Sequence, residues 1–178
     1  MIPIKIAGKK YIIKSINELT TKEFIDMNKL QVTDTVKYVA WQTNTSMDNS
    51  FFAVSSKILD KAIGAVPDIT KLPRPKMYDY NKKIITVGQR HQVEASGLSG
   101  HKLLVFCLAV SQAQSTNIDH VNALYDEYML KPFYEILPAG FFFFMTYKTG
   151  SKRGVMLLKW RQELTKILSL KKVRVLKG

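Results

Sequence analysis

Ile136-Leu-Pro-Ala-Gly-Phe-Phe-Phe-Phe-Met-Thr-Tyr147 carries four consecutive phenylalanines, Phe141 to Phe144. On a helix they point all round, and on a strand they occupy both faces. A surface helix is apolar on one stripe only, so a segment apolar all round is buried or docked. The run is too short to cross a bilayer, which takes about 20 apolar residues, and Lys148 closes it. Water must therefore be excluded by the rest of the chain or by a partner. Aromatic anchors at an interface centre are frequent hot spots. Phe141, Phe142, Phe143 and Phe144 are thus candidate partner-binding residues, with at least one expected to meet another chain or another copy.

Immediately downstream the sequence turns basic. From Lys148 to Gly178 there are ten Lys/Arg and one acid, Glu163, which places +9 of the formal +13 in the last 31 residues. The spacing predicts a helix over about 152–170. Its apolar stripe is Leu157, Trp160 or Arg161, Leu164, Ile167 and Leu168. Leu157, Trp160, Leu164 and Leu168 join the candidate protein-docking set. Lys152, Arg153, Lys159, Lys166, Lys171 and Lys172 are the candidate anion-binding residues. Cations near a helix C-terminus also suit its dipole, so part of this charge has a structural use. Lys171-Lys-Val-Arg-Val-Leu-Lys177 reads as a short edge strand whose lysines discourage pairing. Such a charge balance suits an anionic partner: nucleic acid, an acidic protein surface or a membrane face.

Upstream, Ile2-Pro-Ile-Lys-Ile6, Ala7-Gly8-Lys9-Lys10 and Tyr11-Ile-Ile13 give a strand, a turn and a strand. Thr20 and Glu23 have capping-box spacing and open a helix over about 21–30, burying Phe24, Met27 or Ile25, and Leu30. Asp34 caps a second helix with Val36, Val39 and Ala40 inward and Trp41 as an anchor. A third helix, about 50–63, lines up Phe51, Val54, Ile58 and Ala62. Pro67, Pro73 and Pro75 then make residues 67–76 extended, because proline lacks the amide proton and disfavours a helical residue before it. This connector divides the chain into 1–66 and 77–178.

Met77–Tyr80 and Lys83–Ile85 read as a second short hairpin near the middle. Thr86 and Gln89 repeat the capping-box spacing, with the two threonines 66 residues apart, so hairpin-then-capped-helix occurs twice. Ser99 is placed to cap a helix at Leu103–Gln112, apolar nearly all round and so central. Asn117 caps Ile118–Leu130, with Val121, Leu124 and Tyr128 inward and Asp126 and Glu127 outward. Pro132 and Pro138 punctuate the approach to the phenylalanines. The expected fold class is α+β, mostly helical, with short antiparallel hairpins only.

No constellation with catalytic credentials is present, and the chain is expected to be non-enzymatic with no cofactor or metal. His91, His101 and His120 have no metal-ligand spacing, and His91 with Glu94 reads as a surface pair. Cys107 lies within the most apolar helix, where burial silences a thiol. Gly97-Leu-Ser-Gly100 is a helix connector, not a phosphate loop, and the 14 acids are scattered singly. Met1 to Lys5 lacks the start of a secretory signal, and a single cysteine excludes an internal disulfide. An intracellular protein, or a piece of a particle assembled inside a cell, is the expected setting.

Three segments together, Ile6-Ala-Gly-Lys-Lys-Tyr-Ile-Ile13, Ile85-Thr-Val-Gly-Gln89 and Leu137-Pro-Ala-Gly-Phe-Phe-Phe-Phe144, resemble the small assembly proteins of tailed bacteriophages. The likeness is to tail-assembly chaperones and the related baseplate-hub assembly proteins. It implies a non-catalytic role through contacts with the tape-measure protein or other tail components, as a homo- or hetero-oligomer. It carries no functional motif, so it assigns no residue a role. The chain departs from that pattern in an extra helical pair in its first third and in its basic tail. A protein kept in the particle, at a head-to-tail connection or in a tail or baseplate ring, accounts for that tail equally well. The resemblance implies location in the virion, or in the host cytoplasm during assembly, and not in a membrane. A nucleic-acid-binding module using the basic helix is the alternative, and a cytoplasmic adaptor a third class.

Overall fold

The first strands close through the tightest connection an antiparallel pair allows. In the computed structural model, β1 (Ile2–Ile6) pairs with β2 (Lys9–Ile13), with Ile6 opposite Lys9 and Ile2 opposite Ile13. The turn is only Ala7-Gly8, at φ +46 and +83, so Lys9 and Lys10 belong to β2 and not to the turn. Two positive φ values define a type I′ turn, whose twist matches that of the strands and which favours Asn-Gly. Alanine in the left-handed region is strained, so Ala7→Asn is expected to add about 0.5–1 kcal/mol of stability. Chemical denaturation checks this through a higher midpoint at unchanged slope.

The structure describes residues 1–149 apart from 33, 47–55, 83, 85 and 116. Helices α1 (Thr21–Lys29), α2 (Thr35–Thr43) and α3 (Ser56–Ile63) follow the hairpin, then α4 (Val87–Ala95), α5 (Gly100–Ala113), α6 (Ile118–Leu130) and α7 (Phe133–Thr149). The fold is α+β with helix dominant and one antiparallel hairpin among the described residues.

The helix starts follow their side-chain caps. Thr20 Oγ1 accepts from the Glu23 amide at 3.2 Å while Glu23 accepts from the Thr20 amide at 2.8 Å. Thr86 and Gln89 make the same reciprocal pair. Asp34 and Asn117 cap α2 and α6. Ser99 holds the cap position of α5 but makes no side-chain cap bond.

Several expectations are corrected. Leu30 is 62% exposed. The reason is a left-handed residue, Gln31 at φ +51, that reverses the chain after α1. Val32 N–H then bonds the Met27 carbonyl and Gln31 N–H the Asn28 carbonyl, a Schellman closure that buries Val32 where Leu30 was expected. The second hairpin is absent among the described residues. Met77–Lys82 forms successive turns instead, pinned by Asp79 accepting from the Asn81 amide and by Tyr80 Oη donating to the Pro75 carbonyl. Among the described residues, only the first capping box is preceded by a paired hairpin. Of the third-helix stripe, Phe51, Val54 and the Ile58 side chain lie outside the described residues and Ala62 is half-buried, whereas Leu59 and Ile63, which were not on that stripe, are buried.

Pro138 does not punctuate the run; α7 passes straight through it. The ring removes the bond that Tyr134 C=O would accept, and Tyr134 is 42% exposed, so water reaches that end of the helix. The flanking Ile136, Leu137, Ala139 and Gly140 are all buried and offset the loss. Pro132 does mark a boundary. There the 131–133 junction is clamped to the N-terminal segment: Thr21 N–H donates to the Lys131 carbonyl at 2.7 Å and Phe133 N–H to Leu19 at 3.3 Å.

The core is built around α5, buried from Leu104 to Ser111 and packed against α4, α6 and α7. Gly140 lets α7 approach it closely: a Cβ there would sit 2.5 Å from the Leu104 carbonyl oxygen. One cluster of buried side chains draws on both sides of the proline-rich connector and on its own Ile69. No helix among the described residues is long and apolar enough to cross a membrane.

Candidate partner-binding face

Successive helical residues are about 100° apart, so four phenylalanines sweep most of the way round α7. The structure divides them. Phe143 and Phe144 are 0% and 1% exposed, whereas Phe141 and Phe142 are half-buried against the core. The residues around the connector supply part of the cover. Tyr80 stacks on Phe143, ring centroids 5.6 Å apart at 4°, and meets Phe142 edge-on at 5.0 Å. The Arg74 guanidinium lies 4.7 Å above the Phe142 ring, a cation–π contact. The prolines of that stretch imply only an extended shape, and nothing local in it signals a return onto α7. Phe141 and Met145, both half-buried, are four apart and so share one stripe of the helix.

The same segment forms one wall of an open groove of about 610 Å³, lined by Leu72, Pro73, Arg74, Pro75, Asn17, Tyr134 and Glu135. Farther along α7, Lys148 lies 5.6 Å from the Phe144 ring centre and 5.4 Å from that of Tyr147. Tyr147 Oη donates to Glu94 at 3.2 Å. Burial and then the Glu94 charge push the Tyr147 phenol up to about 12. Glu94 thus bonds across to α7. Leu157, Trp160, Leu164 and Leu168 lie outside the described residues, as do Lys152, Arg153, Lys159, Lys166, Lys171 and Lys172.

The groups considered for chemistry stay apart. Cys107 is fully buried and burial pushes its thiol up. His91 and His120 are exposed, while His101 is 6% exposed at the start of α5. No group of three His, Cys, Asp or Glu among the described residues is placed to hold a metal ion.

His101 gives a pH prediction. Its ring meets Phe24 edge-on at 5.7 Å, and its buried Nε2 has no hydrogen-bond partner among the described residues. Burial lowers its pKa from 6.5 to about 4, and the positive end of the α5 dipole acts the same way. Between those values the unfolded chain binds a proton that the folded chain does not. Stability is therefore full above pH 6.5 and falls toward pH 4, by up to about 3 kcal/mol. Glu23, also held low in the fold, adds acid sensitivity of the same sign: burial raises it but bonds from Lys14 and Thr20 outweigh that. Comparing the stability–pH curves of wild type and His101→Leu isolates the histidine. The variant is expected to be flat from pH 6.5 to about 5 and to keep only the Glu23 share of the slope below that.

No family model matches this chain, and neither does any curated protein or solved structure.

Proposed function

We propose that the chain is a non-enzymatic structural or assembly protein of a tailed-phage particle, acting through protein–protein contacts at the tail, baseplate or head-to-tail connection. The observation that carries this reading is the division of the phenylalanine run. Phe143 and Phe144 hold α7 in the core, while Phe141 and Met145 keep partly accessible apolar surface just before the basic segment. A hot spot buried on binding costs about 2 kcal/mol or more when truncated. The partners on this reading are tail, tape-measure or connector proteins, met in the virion or in the host cytoplasm during assembly.

The test is co-purification from cells assembling such particles. Wild type is expected to bring down other structural proteins, and Phe141→Ala to bring down far less at nearly unchanged melting temperature. A Phe141→Ala variant that co-purifies as well as wild type defeats the proposal.

The basic tail, with +9 of the +13, favours a second reading as a nucleic-acid-binding module. On that reading log affinity for duplex DNA falls with log salt at about −0.9 per phosphate neutralised. Charge reversal at Lys152, Arg153, Lys159 or Lys166 would flatten that slope. Docking through Leu157, Leu164 and Leu168 instead makes loss of Leu164 cost more than loss of any one lysine, since burying a leucine is worth about 1.5–3 kcal/mol and an exposed ion pair about 0–1 kcal/mol.

A further inference from the structure

The hairpin register fixes what its outer face carries. With a two-residue turn, Ile6 and Lys9 form a hydrogen-bonded pair, and bonded and non-bonded pairs then alternate along the ladder. Lys5 opposite Lys10 and Pro3 opposite Ile12 are therefore the non-bonded rungs. Pro3 fits such a rung, because the amide it lacks would point away from β2. Ile2, Ile4, Ile6, Tyr11 and Ile13 turn toward the core, and Ile13 is fully buried. Pro3, Lys5, Lys10 and Ile12 are all exposed, Ile12 at 69%.

Two like charges directly across a non-bonded rung, where side chains lie closest, are destabilising. Among the described residues neither Lys5 nor Lys10 makes an ion pair, whereas the next lysine along, Lys14, is held by Glu23 at 2.6 Å. The face thus combines a cationic rung with an apolar one, two positions apart on each strand. At about 3.3–3.4 Å per residue the rungs are spaced by about 7 Å.

We propose that this outer face of the hairpin binds an extended acidic segment of a partner protein, its carboxylate between Lys5 and Lys10 and an apolar side chain two residues away on Pro3 and Ile12. The period of an extended chain matches the rung spacing, so acid-x-aliphatic is the recognised pattern. Charge complementarity selects against a second copy, whose own lysines would face these. It also selects against nucleic acid: two cations neutralise about two phosphates, and half the face is apolar.

The experiment titrates the full chain with a short synthetic peptide repeating Glu-Thr-Val-Thr, followed by backbone amide NMR. Saturable shifts at Lys5, Lys10 and Ile12 are expected, with a Lys-Thr-Val-Thr peptide giving none. Lys10→Glu creates an opposite-charge pair with Lys5, so it is expected to keep or raise the melting temperature while weakening the peptide at least about tenfold. Ile12→Ser is expected to weaken it with the fold intact. No saturable binding, equal binding to Lys10→Glu, or displacement of the peptide by duplex DNA at the same amides each overturns the proposal. None of these outcomes bears on Phe141, so failure here is separable from failure of the assembly reading.

Discussion

Truncating Phe143 to alanine is expected to lower the melting temperature by about 6–20 °C. The ring is 0% exposed, stacked on Tyr80 and set edge-on to Phe142 at 5.2 Å. Removing a buried phenylalanine costs about 3–5 kcal/mol, the lost transfer energy plus the cavity left behind. In a chain of this size each kcal/mol is about 2–4 °C. Phe144, 1% exposed, belongs to the same class. Phe142 sits between, since its loss frees Arg74 and one edge contact of Tyr80 but opens no closed cavity. Phe141 is expected to cost least in stability and most in association. Thermal melts of the four alanine variants decide it. Four equal losses of stability with association untouched would make the run ordinary core throughout.

That division was half legible in the sequence. Four adjacent rings cannot all face one layer, which follows from helical geometry alone. Which two face inward depends on where α5 lies, and that is a tertiary fact. The parts read correctly were those whose cause is local. Thr20 with Glu23, Thr86 with Gln89, Asp34 and Asn117 satisfy orphan amides within three residues, and the structure makes each of those bonds. The central α5 was legible because its apolar residues leave no face for water. Where reading failed, the deciding partner lay far away or the residue type gave no signal. Gln31 ends α1 in a left-handed conformation usually given to glycine, so Leu30 was expected inside. The Met77–Ile85 stretch has strand-like alternation, but no neighbouring strand is placed to pair with its described residues. Pro138 breaks most helices; here burial of its neighbours outweighs one lost hydrogen bond. The return of Arg74 and Tyr80 onto Phe142 is invisible locally, because it joins residues more than 60 apart.

Gly140 offers the sharpest test of the α5–α7 contact, since two effects of opposite sign compete there. In an exposed helix interior, Gly→Ala stabilises by about 1 kcal/mol through helix propensity. At position 140 the new Cβ would lie 2.5 Å from the Leu104 carbonyl oxygen, 2.7 Å from its carbonyl carbon and 3.2 Å from its Cβ. Two of those atoms are helix backbone and cannot swing aside as a side chain would. The helices must part, and with them the contacts of Phe143, Phe144 and Leu104, all buried to within 1%. Overpacking a filled core costs about 1–3 kcal/mol and occasionally more, and a backbone clash belongs at the upper end. Gly140→Ala is therefore expected to be net destabilising by about 2–3 kcal/mol and to lower the melting temperature by about 5–10 °C. Adding Leu104→Ala is expected not to rescue it, because the clash is with the Leu104 backbone and the shorter side chain adds its own cavity. A Gly140→Ala variant that melts at or above wild type would mean that α5 and α7 do not approach this closely, and the helix pair holding the phenylalanine run would have to be placed differently.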